Sequence, residues 1–217
     1  MLAYLVIDVL NYVGIIAFAA SGALKAIEKD MDLLGVVVLG FSTALVGGIT
    51  RDVLLGVTPP VNITYLPYPI TAIIASLAAL PFARYVMRGI KPFLYADALG
   101  LGAFTAIGAQ VAFMHGINPL GIAMLASITA VGGGVVRDLL ANEVPMVLSR
   151  EVYATASIIG GFAYWPLAEI SPPGDAALIV TVLVSSIRIA AIERGWSLPR
   201  ARSVAWRGDR QQRRRSG

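Results

Sequence analysis

Sliding the chain along itself by 86 residues lays positions 14–59 over 100–145 without a gap, and eighteen of the forty-six positions are identical. The matched residues include Gly14 with Gly100, Phe18 with Phe104, Gly22 with Gly108, Gly35 with Gly121, Thr43 with Thr129, Arg51 with Arg137, Asp52 with Asp138 and Pro59 with Pro145. Chance likeness between apolar stretches does not pair polar residues in this way. A fold for this chain has to be built from two copies of one unit.

The residues between the matches say what that unit is made of. Only 14% of the chain is charged, against about a quarter in soluble domains, and 57% is hydrophobic. Such a chain belongs in a bilayer, where a spanning helix needs about 20 apolar residues. Apolar runs bounded by charge or proline give segments 3–24, 33–56, 67–87, 93–114, 119–141, 150–168 and 174–193. The first run has no basic stretch ahead of it and no cleavage signal, so it reads as a span rather than a signal peptide. The expected fold is an all-α membrane protein: one transmembrane domain over 1–193, with repeat one at about 3–87, repeat two at about 93–168 and a seventh helix at about 174–193. Residues 194–217 form a basic tail.

Each repeat holds three spans, so the second enters the membrane from the opposite side and the repeats are inverted. Inverted repeats recur in transport proteins, with the site near the midplane where the two halves meet. Duplication that merely enlarges a bundle is the plainer alternative, but a bundle does not need the retained charges. Lys25 and Lys29 flank the first connection, Arg84, Arg88 and Lys91 the third, and Arg150 the fifth. With seven spans these fall on the side of the arginine-rich tail, which places the N-terminus outside and the C-terminus in the cytoplasm. Eight of the seventeen Lys and Arg lie at or beyond Arg194, so the net charge of +4 describes a tail drawn to anionic lipid and not a nucleic-acid surface.

The second and fifth spans carry the informative residues. Gly40, Ala44 and Gly48 recur every fourth residue, as do Ala126, Ala130 and Gly134, which lets helix backbones approach closely. Gly47-Gly48 and Gly132-Gly133-Gly134 go beyond what packing requires. Each Gly costs a helix about 1 kcal/mol relative to Ala, so these are expected sites of kinking or unwinding. Arg51-Asp52 and Arg137-Asp138 follow at once. Sequence neighbours point about 100° apart on a helix, which favours pairing across the repeats, Arg51 with Asp138 and Arg137 with Asp52; snorkelling to the membrane surface is the alternative. Thr43, Thr50, Ser127 and Thr129 either line a hydrated path with these charges or bond to their own helix four residues back. Asn11 and Asp97 are equivalent under the shift and are candidates for a hydrogen bond between the repeats. The absence of Cys and the single His115 leave no thiolate or multi-histidine metal site, and no nucleophile has an evident base, so neither an enzyme nor a cofactor is expected.

The doubled Gly-Gly-x-x-Arg-Asp motif on the second and fifth of seven helices resembles the trimeric intracellular cation channel family, in its prokaryotic branch, and the related bacterial glycine-transporter domain. The resemblance spans roughly 3–193. It implies a homotrimer in the prokaryotic plasma membrane, each subunit with its own pore between the glycine-kinked second and fifth helices, passing potassium and less readily sodium. Carried over by position, the kinks are Gly47, Gly48, Gly132, Gly133 and Gly134, and the constriction includes Arg51, Asp52, Arg137 and Asp138. Animal members carry basic residues in the fourth helix, whereas 99–114 has no Lys or Arg, so their lipid-linked voltage response does not transfer. A secondary transporter of a small zwitterion such as glycine would use the same broken helices and stays open as the alternative.

Overall fold

A computed structural model describes residues 2–88, 92–149 and 152–196. Every regular element among them is helical: α1 (Leu2–Glu28), α2 (Leu33–Leu54), α3 (Val61–Thr64), α4 (Pro67–Ala78), a 3₁₀ turn (Leu80–Phe82), α5 (Ala83–Met87), α6 (Pro92–Met114), α7 (Pro119–Leu140), α8 (Met146–Ser149), α9 (Ala154–Ile170) and α10 (Pro173–Arg194). Five of them are long and apolar enough to cross a bilayer: α1 from Leu5, α2, α6, α7 and α10. The expected third span, 67–87, is broken. Pro81 has no N–H to give and its ring crowds the carbonyl four residues back, so α4 yields to the 3₁₀ turn before α5 resumes. The expected sixth span begins at Ala154 and carries Pro166 inside its 17 residues. Lys91, Arg150 and the tail beyond Trp196 lie outside the described residues.

Matched sequence positions make matched local structure. Asp32 caps α2 by accepting the Gly35 N–H at 2.7 Å, and Asn118 caps α7 by accepting the Gly121 N–H at 2.9 Å. The core is built on reciprocal contacts. Phe18 of α1 and Phe104 of α6 meet edge to face at 5.2 Å, Gly14 lies under the Phe104 ring, and Gly100 lies under the Phe18 ring. Gly22 makes room for the Thr43 hydroxyl and Gly108 for that of Thr129. Both threonine hydroxyls are spent on their own helices, on Leu39 O and Leu125 O, each at 2.6 Å. Hydrocarbon offers no hydrophobic drive for helix association, so this close fit of small residues is what holds the bundle together. The large exposed side chains, Leu33, Leu34, Val38, Leu120, Met124 and Ile179 among them, are apolar as lipid contact requires.

Several contacts gather at one end of the bundle. Lys25 pairs with Glu143 at 2.7 Å and lies over the Phe93 ring at 5.0 Å, Lys29 also pairs with Glu143 at 2.7 Å, and the Tyr95 hydroxyl bonds to Glu193. The end of α1, the start of α6, the end of α7 and the end of α10 therefore share that end.

Candidate functional site

The α2–α7 crossing lies at the glycines. A Cβ on Gly47 would run into the carbonyl oxygen of Thr129, and one on Gly133 into that of Thr43; Gly132 faces the Gly47 Cα. Position 47 thus lies against 129–132 while 43 lies against 133, so the helices run antiparallel through a backbone-to-backbone contact. Both remain α-helical throughout, from 33 to 54 and from 119 to 140, so the glycines do not unwind them. Their role at this point is close approach.

The antiparallel crossing decides the fate of the Arg-Asp pairs. Arg51-Asp52 and Arg137-Asp138 occupy the last turns of their helices, on opposite sides of the crossing. At 1.5 Å rise per residue, Arg51 and Asp138 stand about 16 Å apart along the axes. The expected cross-repeat pairing does not form. Each arginine instead folds back onto its own neighbour: Arg51 Nε and Nη2 donate to Asp52 Oδ1 at 2.9 and 2.7 Å, and Arg137 Nε donates to Asp138 Oδ1 at 2.9 Å. The other carboxylate oxygen fastens the chain that leaves the helix. Asp52 Oδ2 accepts the Val61 N–H at 2.9 Å, and Asp138 Oδ2 accepts the Met146 N–H at 2.7 Å. Nor do these groups snorkel: Arg51, Asp52, Arg137 and Asp138 are all buried. An arginine in the last turn also faces the negative end of its helix dipole.

Beyond this shared plan the two ends differ. Arg137 is fully buried and also donates to Ser21 Oγ at 2.7 Å and to Asp97, while the Tyr153 hydroxyl donates to Asp97 at 3.2 Å. The Arg188 guanidinium of α10 stacks on the Tyr153 ring at 4.9 Å. At the other end Asn11 stands where Asp97 would. Asn11 and Asp97 do not meet, for the same reason that the Arg-Asp pairs do not. The remaining hydroxyls satisfy themselves locally: Thr50 bonds to Val46 O and Ser127 to Ala123 O, each at 2.8 Å, and Ser127 also accepts from Ser157 at 3.2 Å.

Tyr153, Asn62, Ser21 and Arg188 were not among the residues picked out from sequence. A signal for Tyr153 existed. Past Pro59 and Pro145 the repeat continues with a shift of 85, which pairs Val61 with Met146, Tyr68 with Tyr153 and Pro81 with Pro166. Proline at 60 explains the slip, because the residue equivalent to Met146 under the old shift has no N–H for Asp52. Arg188 lies in the helix outside the repeats and Ser21 faces Ile107, so neither has such a signal.

A family model described as glycine transporter matches twice, over residues 8–84 and 94–169, the same 86-residue offset. Among solved structures, a TRIC cation channel from work on conductance is 54% identical, covering 89% of this chain and 96% of its own, with a TM-score of 0.79. A prokaryotic TRIC channel crystallised in KCl is 38% identical over 90% of this chain and all of its own, with a TM-score of 0.85. This chain belongs to the TRIC family. The TRIC trimeric intracellular cation channel orthologue from Rhodobacter sphaeroides, 33% identical over 88% of this chain and 99% of its own, agrees at a TM-score of 0.82. Curated relatives outside the solved TRIC structures include a UPF0126 membrane protein of Deinococcus radiodurans, 41% identical over 82% of this chain and 84% of its own. The inner membrane protein YadS of Escherichia coli is 39% identical over 88% of this chain and 93% of its own.

Proposed function

We propose that this TRIC-family chain is a channel for monovalent cations, potassium foremost, working as a homotrimer with one pore in each subunit. The observation that carries the reading is the 54% identity to a TRIC cation channel over nearly the whole chain. The path runs alongside the α2–α7 crossing, because the backbone contact at Gly47 and Gly133 leaves no room for an ion between the helices. Arg51-Asp52 and Arg137-Asp138 then border the path near its two ends, each arginine neutralised by its own aspartate so that a passing cation meets a dipole rather than a bare positive charge.

The subunit crosses the membrane seven times, with α4 to α5 as third span and α9 as sixth, in two inverted repeats followed by α10. The reciprocal contacts of α1 with α6 and of α2 with α7 support this arrangement. The end that gathers Lys25, Lys29 and Glu143 faces the cytoplasm of a prokaryotic cell, together with the tail.

The glycine-transporter description of the matching family model favours a second reading, uptake of a small zwitterion. A transporter of that kind uses interrupted helices whose half-helix N-termini hold the carboxylate. Here α2 and α7 are uninterrupted, which weighs toward the channel. Planar-bilayer recording of purified protein in asymmetric potassium chloride separates the two. Discrete currents reversing near the potassium equilibrium potential support the channel; saturable glycine uptake into vesicles with no such currents sinks it.

A further inference from the structure

The last glycine of each motif does something the crossing does not explain. A Cβ on Gly134 would stand 2.7 Å from the Tyr153 hydroxyl, and one on Gly48 would stand 2.5 Å from the Asn62 amide nitrogen. Each is therefore a notch in its helix, filled by one polar side chain from the chain that follows. The two fillings differ in how they are held. Tyr153 is 1% exposed, bonds to Asp97 and carries Arg188 on its ring, so it is fixed by charges with no access to water. Asn62 is buried as well, at 5% exposed, but no charge holds it: its amide donates to Leu45 O at 3.3 Å, and the neighbouring Val61 N–H donates to Asp52. Around it the chain is peripheral: Val61, Ile63, Tyr65 and Leu66 are all exposed.

Gly48 and Asp52 are four residues apart and so share a face of α2. The short helix α3 lies along that face, gripped at Gly48 by Asn62 and at Asp52 by Val61, directly beside Arg51. We propose that Asn62 is a gating peg: seated in the Gly48 notch it closes the path at the Arg51 end, and its withdrawal with α3 opens that end while the Tyr153 end stays fixed. The inference rests on the channel reading. It makes Asn62 a positioning residue, acting through α3 and Arg51 rather than as an ion ligand.

Because the chain has no cysteine, single cysteines report on the peg without background. Purified Asn62→Cys and Tyr153→Cys protein in detergent micelles, where both ends of the bundle are open to water, is exposed to a charged methanethiosulfonate. The expected result is modification of Asn62→Cys at least tenfold faster than of Tyr153→Cys; equal rates, or a faster Tyr153→Cys, overturn the proposal. This arm needs no current and so stands apart from the channel reading. In bilayers, Asn62→Ala removes one weak hydrogen bond and should raise the open-to-closed ratio about fivefold, leaving the single-channel conductance unchanged. Asn62→Ser, which keeps a short hydrogen-bonding side chain, should return the ratio toward wild type. An Asn62→Ala channel that gates like wild type, or changes only in conductance, refutes the peg. Absence of current in the wild type itself refutes the channel reading and not the notch.

Discussion

Three consecutive glycines in α7 should respond to the same substitution in three different ways. Gly→Ala in a helix interior gains about 1 kcal/mol of propensity. At Gly132 the added methyl meets only the Gly47 Cα, at 3.3 Å, so a shift of a few tenths of an ångström absorbs it and Gly132→Ala should be neutral or stabilising by up to about 1 kcal/mol. At Gly133 the methyl overlaps the Thr43 carbonyl oxygen, which is backbone and cannot rotate away. Restoring van der Waals distance means parting α2 from α7 by more than about 1 Å, and overpacking of this kind costs about 1–3 kcal/mol, felt along the whole contact. Gly133→Ala should therefore end up to about 2 kcal/mol below wild type after the propensity gain. At Gly134 the obstacle is the Tyr153 hydroxyl at 2.7 Å. Displacing it strands a buried phenol from Asp97, a loss of about 1–3 kcal/mol. Gly134→Ala should fall near Gly133→Ala in stability, but unlike it should lose its deficit when Tyr153 is replaced by Phe, which has no hydroxyl to seat. Equilibrium unfolding of the purified variants in sodium dodecyl sulfate, followed by far-UV circular dichroism, gives the ranking. Equal stability of the Gly132 and Gly133 variants would mean that the crossing is not where the reciprocal contacts put it.

The asymmetry of the two ends gives a paired test. Asp97→Ala leaves Arg137 with Asp138 as its one remaining carboxylate, beside Ser21, and should destabilise by about 2–4 kcal/mol, whereas Asn11→Ala at the equivalent position strands no buried charge and should cost no more than about 1 kcal/mol, both read from the same unfolding curves. Asp138→Asn keeps one acceptor oxygen where two are used, so it should release either Arg137 or the Met146 N–H and change selectivity or conductance in bilayers; Arg51→Ala should change gating at lower cost in stability, because Arg51 has fewer partners. Wild-type currents from both variants in intact trimers would remove these residues from the path. At Glu143, burial alone would raise the carboxyl, but hydrogen bonds from Lys25 and Lys29 and their charges outweigh it and hold it below the usual range. Lys29 is raised, chiefly by its hydrogen bond to Glu143. The linkage has a definite sign. The lowered carboxyl contributes stability above the ordinary carboxylate pKa that is lost as pH falls through its folded value; the raised amine contributes stability below the ordinary lysine pKa that is lost as pH rises through its folded value. The wild type should thus exceed Glu143→Gln in thermal stability at neutral pH, with the gap closing in acid and narrowing above the lysine range. A gap constant across pH would show that the cluster contributes nothing.

Much of the architecture was legible because lipid makes the rules strict. Backbone groups must be satisfied within helices, and helices associate through small residues, so the glycines that matter stand out. The small-residue stripes at Gly40, Ala44 and Gly48 and at Ala126, Ala130 and Gly134 promised close approach, but the α2–α7 contact falls on Gly47, Gly132 and Gly133, which read as kinks, while Gly40 and Gly48 meet Ser76 and Asn62. The pairing of the charges did not follow, because a local angle on a helix says nothing of the antiparallel α2–α7 crossing, which carries Arg51 and Arg137 to opposite ends. An arginine side chain is long enough to curl back onto the next residue when that carboxylate is fixed from its far side, as Val61 and Met146 fix Asp52 and Asp138. The helical stretch over 67–87 was legible in extent but not in continuity, since the cost of Pro81 depends on what the freed carbonyls meet. Arg188 was invisible for a plainer reason: in an unrepeated helix, one arginine near a basic tail reads as a membrane-surface charge until its packing on Tyr153 is known.

Asn11 opposite Asp97 has a consequence for the history of such a chain. Two separate copies of one repeat, assembled head to tail, are obliged to carry the same residue at both ends of the bundle, so a change that improves one end is imposed on the other. Joining the copies in one polypeptide lifts that obligation. One end can then acquire a carboxylate, a tyrosine and a borrowed arginine while its twin keeps an amide, and a symmetric bundle becomes one with a front and a back.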